Sequence, residues 1–264
     1  MPELPDVQSF KRYFECKFLG KKITGLKVTN EKILGNISES KLKERLIGSK
    51  FKSAYRYGKY LFIETNNKSF LVFHFGMTGS LKYFENQNEV PSYSRLVLAF
   101  SNNSHLAFKC IRMLGRIYLT DSMEDFIGNK NLGPDAIYIK KSEFFKSVRR
   151  RKGRIKPILL DQSFVAGIGN IYADEILFQS GIHPEIKVNL MDRKKLGKVY
   201  NNMKKVLATA VKLNAEIEKY PDFYLSRNRS KFSSCPVCNT MIERINISGR
   251  GTYFCPSCQK RMIS

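Results

Sequence analysis

Two C-x-x-C pairs set 16 residues apart, CPVC at Cys235 and Cys238 and CPSC at Cys255 and Cys258, constrain the end of this 264-residue chain tightly. Each pair lets two thiolates reach one ion from a tight turn, and two such knuckles complete a tetrahedral set. A d10 zinc ion suits four soft ligands, and with every position taken by protein no place is left for an activated water. One structural Zn2+ is therefore the expected cofactor. The intervening NTMIERINISGRGTYF reads as two short strands joined at a glycine-containing turn, so the site should ride on a β-hairpin. That turn sets Arg250 between Gly249 and Gly251, where a planar guanidinium fork can meet a phosphate; a solvated loop arginine is the other reading. Disulfides are the competing use of the cysteines, and the lack of a secretion signal speaks against them. Cys16 and Cys110 are left over and are expected in the core.

From about Lys21 to Thr120 the chain reads as short alternating strands, KITGLKVT, YLFIET, SFLVFHF, RLVLAF, HLAFKC and RIYLT, separated by turn-forming clusters. This is the spacing of an antiparallel sandwich or barrel. A helix should precede it, because Val7, Phe10 and Phe14 fall on one face. Around 121 to 150 the pattern becomes mixed and polar, ending in VRRRKGR, which suits a linker or a phosphate-facing edge. Beyond it the periodicity is helical: IYADEILFQSG closes at Gly181, and the stretch from Asp192 to Ile217 stripes Leu196, Val199, Tyr200, Met203, Val206, Leu207 and Ala210. The expected domains are 1–125, a linker at 126–150, a helical domain at 151–230 and a zinc finger at 231–264.

Forty-six Lys and Arg against 23 Asp and Glu leave a formal charge of +23, which calls for a polyanionic partner. Nucleic acid comes first and an anionic membrane surface second. No apolar run approaches the roughly 18 residues that span a bilayer, so an intracellular protein without membrane insertion is expected. Within FVAGIGNIYADEILF, Gly167 and Gly169 allow close backbone approach and Asn170 can cap a helix whose first N–H groups face an anion; a simple helix start is the alternative. A dinucleotide site is rejected, since a third glycine and the acidic partner are missing. The opening MPELPDV crowds two prolines and two carboxylates into six positions. With Met1 removed, Pro2 becomes a secondary amine beside the Glu3 carboxyl; the plainer reading is a frayed terminus with Pro5 opening a helix.

These pieces together resemble the formamidopyrimidine-DNA glycosylase and endonuclease VIII family of base-excision repair enzymes: PELPDV, YGKYL at 57–61, FHFGMTGSL at 73–81, AGIGNIYADEILFQSGIHP at 166–184, and the cysteine hairpin with GRGTYFCPSCQK. The resemblance spans nearly the whole chain. It implies an α+β architecture: an N-terminal antiparallel β-sandwich with flanking helices, a helix-two-turn-helix domain and a four-cysteine zinc-finger hairpin. It implies that Pro2 attacks C1′ of a damaged nucleotide in double-stranded DNA, that Glu3 moves protons, and that Lys59 and Arg250 assist at the sugar-phosphate. A Schiff base at the proline would then be followed by β,δ-elimination. Met77, Arg112 and Leu114 match positions that fill the gap left by the flipped base, and Lys152, Lys156 and Asn170 match residues that grip the backbone. His74 matches a family histidine but is given no proton-transfer role. The enzyme would act as a monomer in the cytoplasm or nucleoid, or in a nucleus if eukaryotic.

The chain departs from this resemblance in places. Asp6 stands for the usual glutamate, tolerable if its role is capping; Leu114 replaces a wedge phenylalanine and Met113 a second arginine. The segment PDFYLSRNRSKFSS at 221–234 is shorter than the glycine-containing cover of 8-oxoguanine enzymes. Substrates are therefore expected to be 8-oxoguanine and formamidopyrimidines or, with the cover short, hydantoins or oxidised pyrimidines. Rival classes are a non-catalytic zinc-dependent nucleic-acid-binding protein, which leaves the Pro2 and Glu3 pair without a role, and a translation-associated zinc-ribbon protein, which leaves the wedge positions without one.

Overall fold

Glu3 ends the extended start of the chain and caps α1, Leu4–Phe18, through a reciprocal capping box with Asp6. Pro5 lies in the first turn, where its missing N–H costs nothing, and Val7, Phe14 and Phe18 are buried on the inward face. The computed structural model describes residues 2–261, and the chain divides into two compact units between Lys130 and Asn131.

The first unit is an antiparallel β-sandwich. One sheet runs in the order β1 (Ile23–Val28), β6 (Ser94–Phe100), β7 (His105–Cys110), β5 (Gly79–Phe84); the other runs β2 (Phe51–Tyr57), β3 (Tyr60–Thr65), β4 (Phe70–His74), β8 (Arg116–Thr120). Alternation sorts the faces: Leu61, Ile63, Leu71 and Phe73 point into the sandwich with Leu96, Leu98, Phe100 and Phe108 opposite, and α1 with α2 (Glu39–Leu46) closes the same core. Phe62 and Val72 turn to the other side, where Phe126 of α3 (Met123–Asn129) covers them. This second burial layer explains why β3 and β4 read as continuous apolar runs.

The second unit begins with α4 (Lys141–Arg149) and α5 (Ile155–Leu160), followed by two turns and α6 (Asn170–Ser180). Gln162 ties the turns together: its side-chain amide donates to the carbonyls of Leu160 and Ile168 and accepts from Gly167 N–H. Gly167 sits at φ +115°, which a side chain would strain. α6 is buried on nearly every face and ends at Gly181 in the left-handed conformation, the expected stop. α7 (Arg193–Lys212) buries Leu196, Val199, Met203, Val206, Leu207 and Ala210, and Tyr200, half-buried, donates to Ile139 O. β9 (Glu243–Ile247) and β10 (Arg250–Phe254) form the terminal hairpin.

The segment 126–150, expected as a linker, instead carries most of α3 and all of α4, with Phe126, Phe144 and Val148 buried. Cys110 is buried as expected, but Cys16 lies exposed on the outer face of α1. Among the described residues no helix is long and apolar enough to cross a membrane.

Candidate active site and nucleic-acid interface

In the first unit the chemistry-bearing residues gather at the start of α1 and at the β2–β3 turn. Pro2 is half-buried and Glu3 almost fully so. Glu3 N–H donates to Asp6 Oδ2 at 2.9 Å, so Asp6 does act as a capping residue. Burial raises the Asp6 carboxyl above its ordinary value, against the nearby Lys59 charge, which lowers it. Lys59 occupies the two-residue turn between Tyr57 and Tyr60, with Gly58 at φ +54°. Arg56, which nothing in the sequence singled out, is buried beneath that turn: its Nε donates to Gln8 Oε1 at 2.9 Å and its Nη1 to Gly58 O at 3.1 Å. It thereby holds the Lys59 turn against α1.

His74 ends β4 opposite Tyr60, with ring centroids 4.9 Å apart. Burial first, then the charges of Lys59, Lys130 and Arg116, push its pKa down to about 4. The imidazole is neutral at physiological pH, consistent with assigning it no proton-transfer role. Between about pH 4 and the model-peptide value of about 6.5 the unfolded chain binds a proton that the folded chain does not, so stability falls as pH is lowered through that window. His74→Gln is expected to flatten this part of a stability-versus-pH curve measured by urea denaturation.

The candidate wedge residues come together from two loops. Gly76 is at φ +59°, and a Cβ there would sit 2.4 Å from the Leu114 carbonyl carbon, so the β4–β5 loop lies directly on the β7–β8 loop. Arg112 N–H donates to Thr78 Oγ1 at 3.1 Å across the same contact. Met77 and Leu114 stand 40% and 46% exposed with Arg112 also exposed, an arrangement suited to insertion rather than to core packing. Met113 takes φ +56° and packs inward, while Ile111, 53% exposed, joins the apolar surface.

In the second unit Asn170 does not cap α6. Gly169 is the N-cap and Asn170 the first helical residue, its Nδ2 donating to Gly251 O at 2.9 Å; among the described residues its second N–H has no partner and neither has its buried Oδ1. Lys152 is exposed, as a phosphate contact requires. Lys156, expected on the DNA, is 0% exposed: its Nζ lies 2.6 Å from Asp174 Oδ1 and donates to Thr252 Oγ1 at 2.7 Å. Its ammonium is spent inside the protein. Asp174 also accepts from Arg229 at 2.8 and 3.0 Å and from Tyr253 N–H at 3.2 Å. Asp174 and Arg229 were not foreseen, and together with Lys156 they dock β10 on α5 and α6. Removing Lys156 leaves Asp174 with Arg229 as its remaining ionic partner and its Oδ1 side unpaired in the interior. Lys156→Ala should cost about 3 kcal/mol by chemical denaturation, while leaving the salt dependence of DNA binding unchanged.

Arg250 opens β10 and is exposed, directly after a turn made by Ser248 and Gly249 at φ +49° and +76°. Below the hairpin, the Sγ atoms of Cys235, Cys238, Cys255 and Cys258 all lie within 4.8 Å of one another. The closest pairs are 3.4 to 3.9 Å apart, against an edge of about 3.8 Å for a tetrahedron with Zn–S bonds of about 2.3 Å. Val237 N–H and Cys258 N–H point at Cys235 and Cys255 sulfur, orienting the knuckles. Hydrogen bonds from Thr240 hold Cys238 down at about 6, whereas burial and then the neighbouring sulfurs push Cys258 up, a conflict that a divalent cation removes. The four residues fit zinc, which they would hold with every coordination position filled by a cysteine.

The chain thus carries a β-sandwich whose first helix starts at a buried carboxylate, a helix-two-turn-helix element and a four-cysteine hairpin. Three family models match in series: formamidopyrimidine-DNA glycosylase N-terminal domain at 1–117, its H2TH domain at 132–221, and the zinc finger found in FPG and IleRS at 233–261. The formamidopyrimidine-DNA glycosylases of Pelotomaculum thermopropionicum and Ligilactobacillus salivarius are 34% and 35% identical, each over 98% of this chain and 99% of the relative. Among solved structures, Lactococcus lactis Fpg bound to DNA containing an AP site superposes with a TM-score of 0.91 at 28% identity. MutM in complex with DNA containing carbocyclic 8-oxo-G gives 0.88 at 30%. Both comparisons cover 98% of this chain and all of the other. The chain belongs to the formamidopyrimidine-DNA glycosylase family.

Proposed function

We propose that this glycosylase is bifunctional, cutting the strand at the site from which it removes the base. The observation that carries the reading is the placement of Pro2 beside the buried Glu3, at a helix start locked by Asp6, with the Lys59 turn braced nearby by Arg56. With Met1 removed, a step that lies outside the described residues, the Pro2 nitrogen forms a bond to C1′ as the N-glycosidic bond breaks and the base leaves. Glu3 moves protons as the base departs and the sugar ring opens. The resulting iminium acidifies the C2′ proton, whose loss expels the 3′ phosphate, and a second elimination expels the 5′ phosphate. Lys59 and Arg250 bind the phosphates that leave; Asn170, through its second N–H, and Lys152 hold the backbone. Met77, Arg112 and Leu114 fill the space of the extruded nucleotide. Zinc, when bound, supplies rigidity to the Arg250 turn.

The enzyme acts on damaged double-stranded DNA as a monomer, on the chromosome. Formamidopyrimidine and 8-oxoguanine lesions are the substrates suggested by the DNA in the related complexes. The segment before the finger favours a second set, hydantoins and oxidised pyrimidines. It is short and tied down at Ser226, whose N–H donates to Glu175 at 2.7 Å, and just before it the hydroxyls of Tyr220 and Tyr172 lie 2.7 Å apart. Borohydride trapping on duplexes carrying an abasic site or single oxidised bases tests both points. An adduct mapped to Pro2 is expected, and the yield across lesions ranks the substrates. If the abasic duplex binds and gives no adduct although intact mass shows Met1 gone, the lyase reading fails.

A further inference from the structure

We propose that the basic groove between α4 and the start of α7 is a second DNA site, holding backbone phosphates of the duplex outside the lesion. This rests on the DNA-binding reading above and extends its footprint. Two adjoining hollows of about 270 and 460 Å3 share Phe145, Arg149 and Arg193; Arg151 lines the first, Lys146 and Arg150 the second. Among the described residues no carboxylate lines either hollow. Lys146, Arg149, Arg150 and Arg193 form no ion pair among the described residues, and the Arg193 guanidinium lies 5.7 Å from the centre of the Phe145 ring, which holds it over the groove. The acids closest in sequence are occupied or turned to solvent: Asp161 is paired with Arg151 at 2.7 Å, Asp192 accepts Lys195 N–H at 2.7 Å as the cap of α7, and Glu143 is exposed in the first turn of α4.

The chemistry fits phosphodiesters, because guanidinium forks bind phosphate oxygens two at a time. Continuity points the same way. Arg151 bonds both Asp161 and Ser163, fixing the first of the two turns that lead to the N-terminus of α6, and the exposed Lys152 follows it. The groove thus begins where the backbone grip around the lesion ends.

The experiment compares the wild-type chain with Arg149→Gln/Arg150→Gln/Arg193→Gln on a short duplex centred on the lesion and on a long one. On the long duplex, loss of three phosphate contacts should make log K against log salt shallower by about 2.7, at about 0.9 per contact, and weaken binding about tenfold or more at 0.1 M salt. On the short duplex affinity should stay within about twofold, and single-turnover cleavage at saturation should be unchanged. Arg150→Glu alone, at an exposed helix end, should move affinity in the same direction if the triple variant does not fold. A control with Lys22, Lys32 and Lys41 changed to Gln removes the same charge elsewhere. Equal loss on both duplexes, equal loss in the control, no loss at all, or loss of binding only to anionic vesicles or acidic peptides overturns the proposal. Trapping at Pro2 reports on the catalytic reading alone, so the two can fail separately.

Discussion

Converting the Pro2 nitrogen into an amide, by a one-residue extension that is not cleaved, is expected to abolish borohydride trapping and to lower base release at least about a thousandfold, the scale on which loss of a covalent nucleophile is felt. An α-amine titrates near pH 7.7 to 8.0, so it is partly unprotonated at neutral pH without burial, and it is the one amine that needs no perturbation to act as a nucleophile. Pro2→Gly keeps that amine and its position before the Glu3 cap. It should still trap on an abasic duplex, more slowly, since the capping box that fixes α1 uses Glu3 and Asp6 and not the proline ring. Both variants should bind damaged duplex within a few-fold of wild type. Survival of trapping in the extended chain would point to another amine, with Lys59 the first to examine because its charge reaches Asp6 and His74.

What could be read from the sequence, and what could not, follows from burial. Periodicity found α1 and six of the eight sandwich strands, because their apolar residues alternate or share a face. It missed β2, where Arg56 interrupts the pattern: an arginine in FKSAYRY reads as solvent-facing, yet the structure buries it to brace the Lys59 turn. It missed β5, which a glycine opens. The zinc cysteines were legible because metal geometry is written in spacing, whereas Met77, Arg112 and Leu114 were singled out only through the family resemblance, since nothing in local spacing or periodicity marks them. Lys156 was misread as a phosphate contact. Its setting in IKPILL carried the signal, since a lone lysine inside a fully apolar helix has to be paired, but its partners Asp174 and Thr252 lie 18 and 96 positions away. Distances of that kind appear only when the chain is folded. Asn170 likewise looked like a helix cap from its position, and gave that place to Gly169 because its amide is engaged by β10.

Stripping the metal should have the largest effect on the second unit. Structural zinc contributes apparent binding free energy of about 10 to 16 kcal/mol at neutral pH in isolated fingers, and a bound ion would add to the small apolar core of this hairpin. Among the described residues its buried apolar side chains are Cys235, Ile242, Ile247, Phe254 and Cys255, with Phe178 of α6 and Leu225 packed against the cysteines. Chelation, or Cys238→Ser, is therefore expected to release one zinc per chain and to unfold the hairpin while the β-sandwich keeps its cooperative transition. Because the Asn170 amide and Lys156 both end on β10, loss of the hairpin also frees Asn170 and strands the Lys156 and Asp174 pair, so the α6 start loses order with it. Damaged-duplex affinity should drop by about a hundredfold, near 3 kcal/mol, as charge-assisted phosphate contacts from Arg250 and Asn170 disappear. Metal analysis, hydrogen exchange over residues 231–261 and binding titrations give three independent readings. A chain that lost its metal and kept both the exchange protection of β10 and its DNA affinity would show that the hairpin stands without zinc, and the structural role assigned to the four cysteines would be wrong.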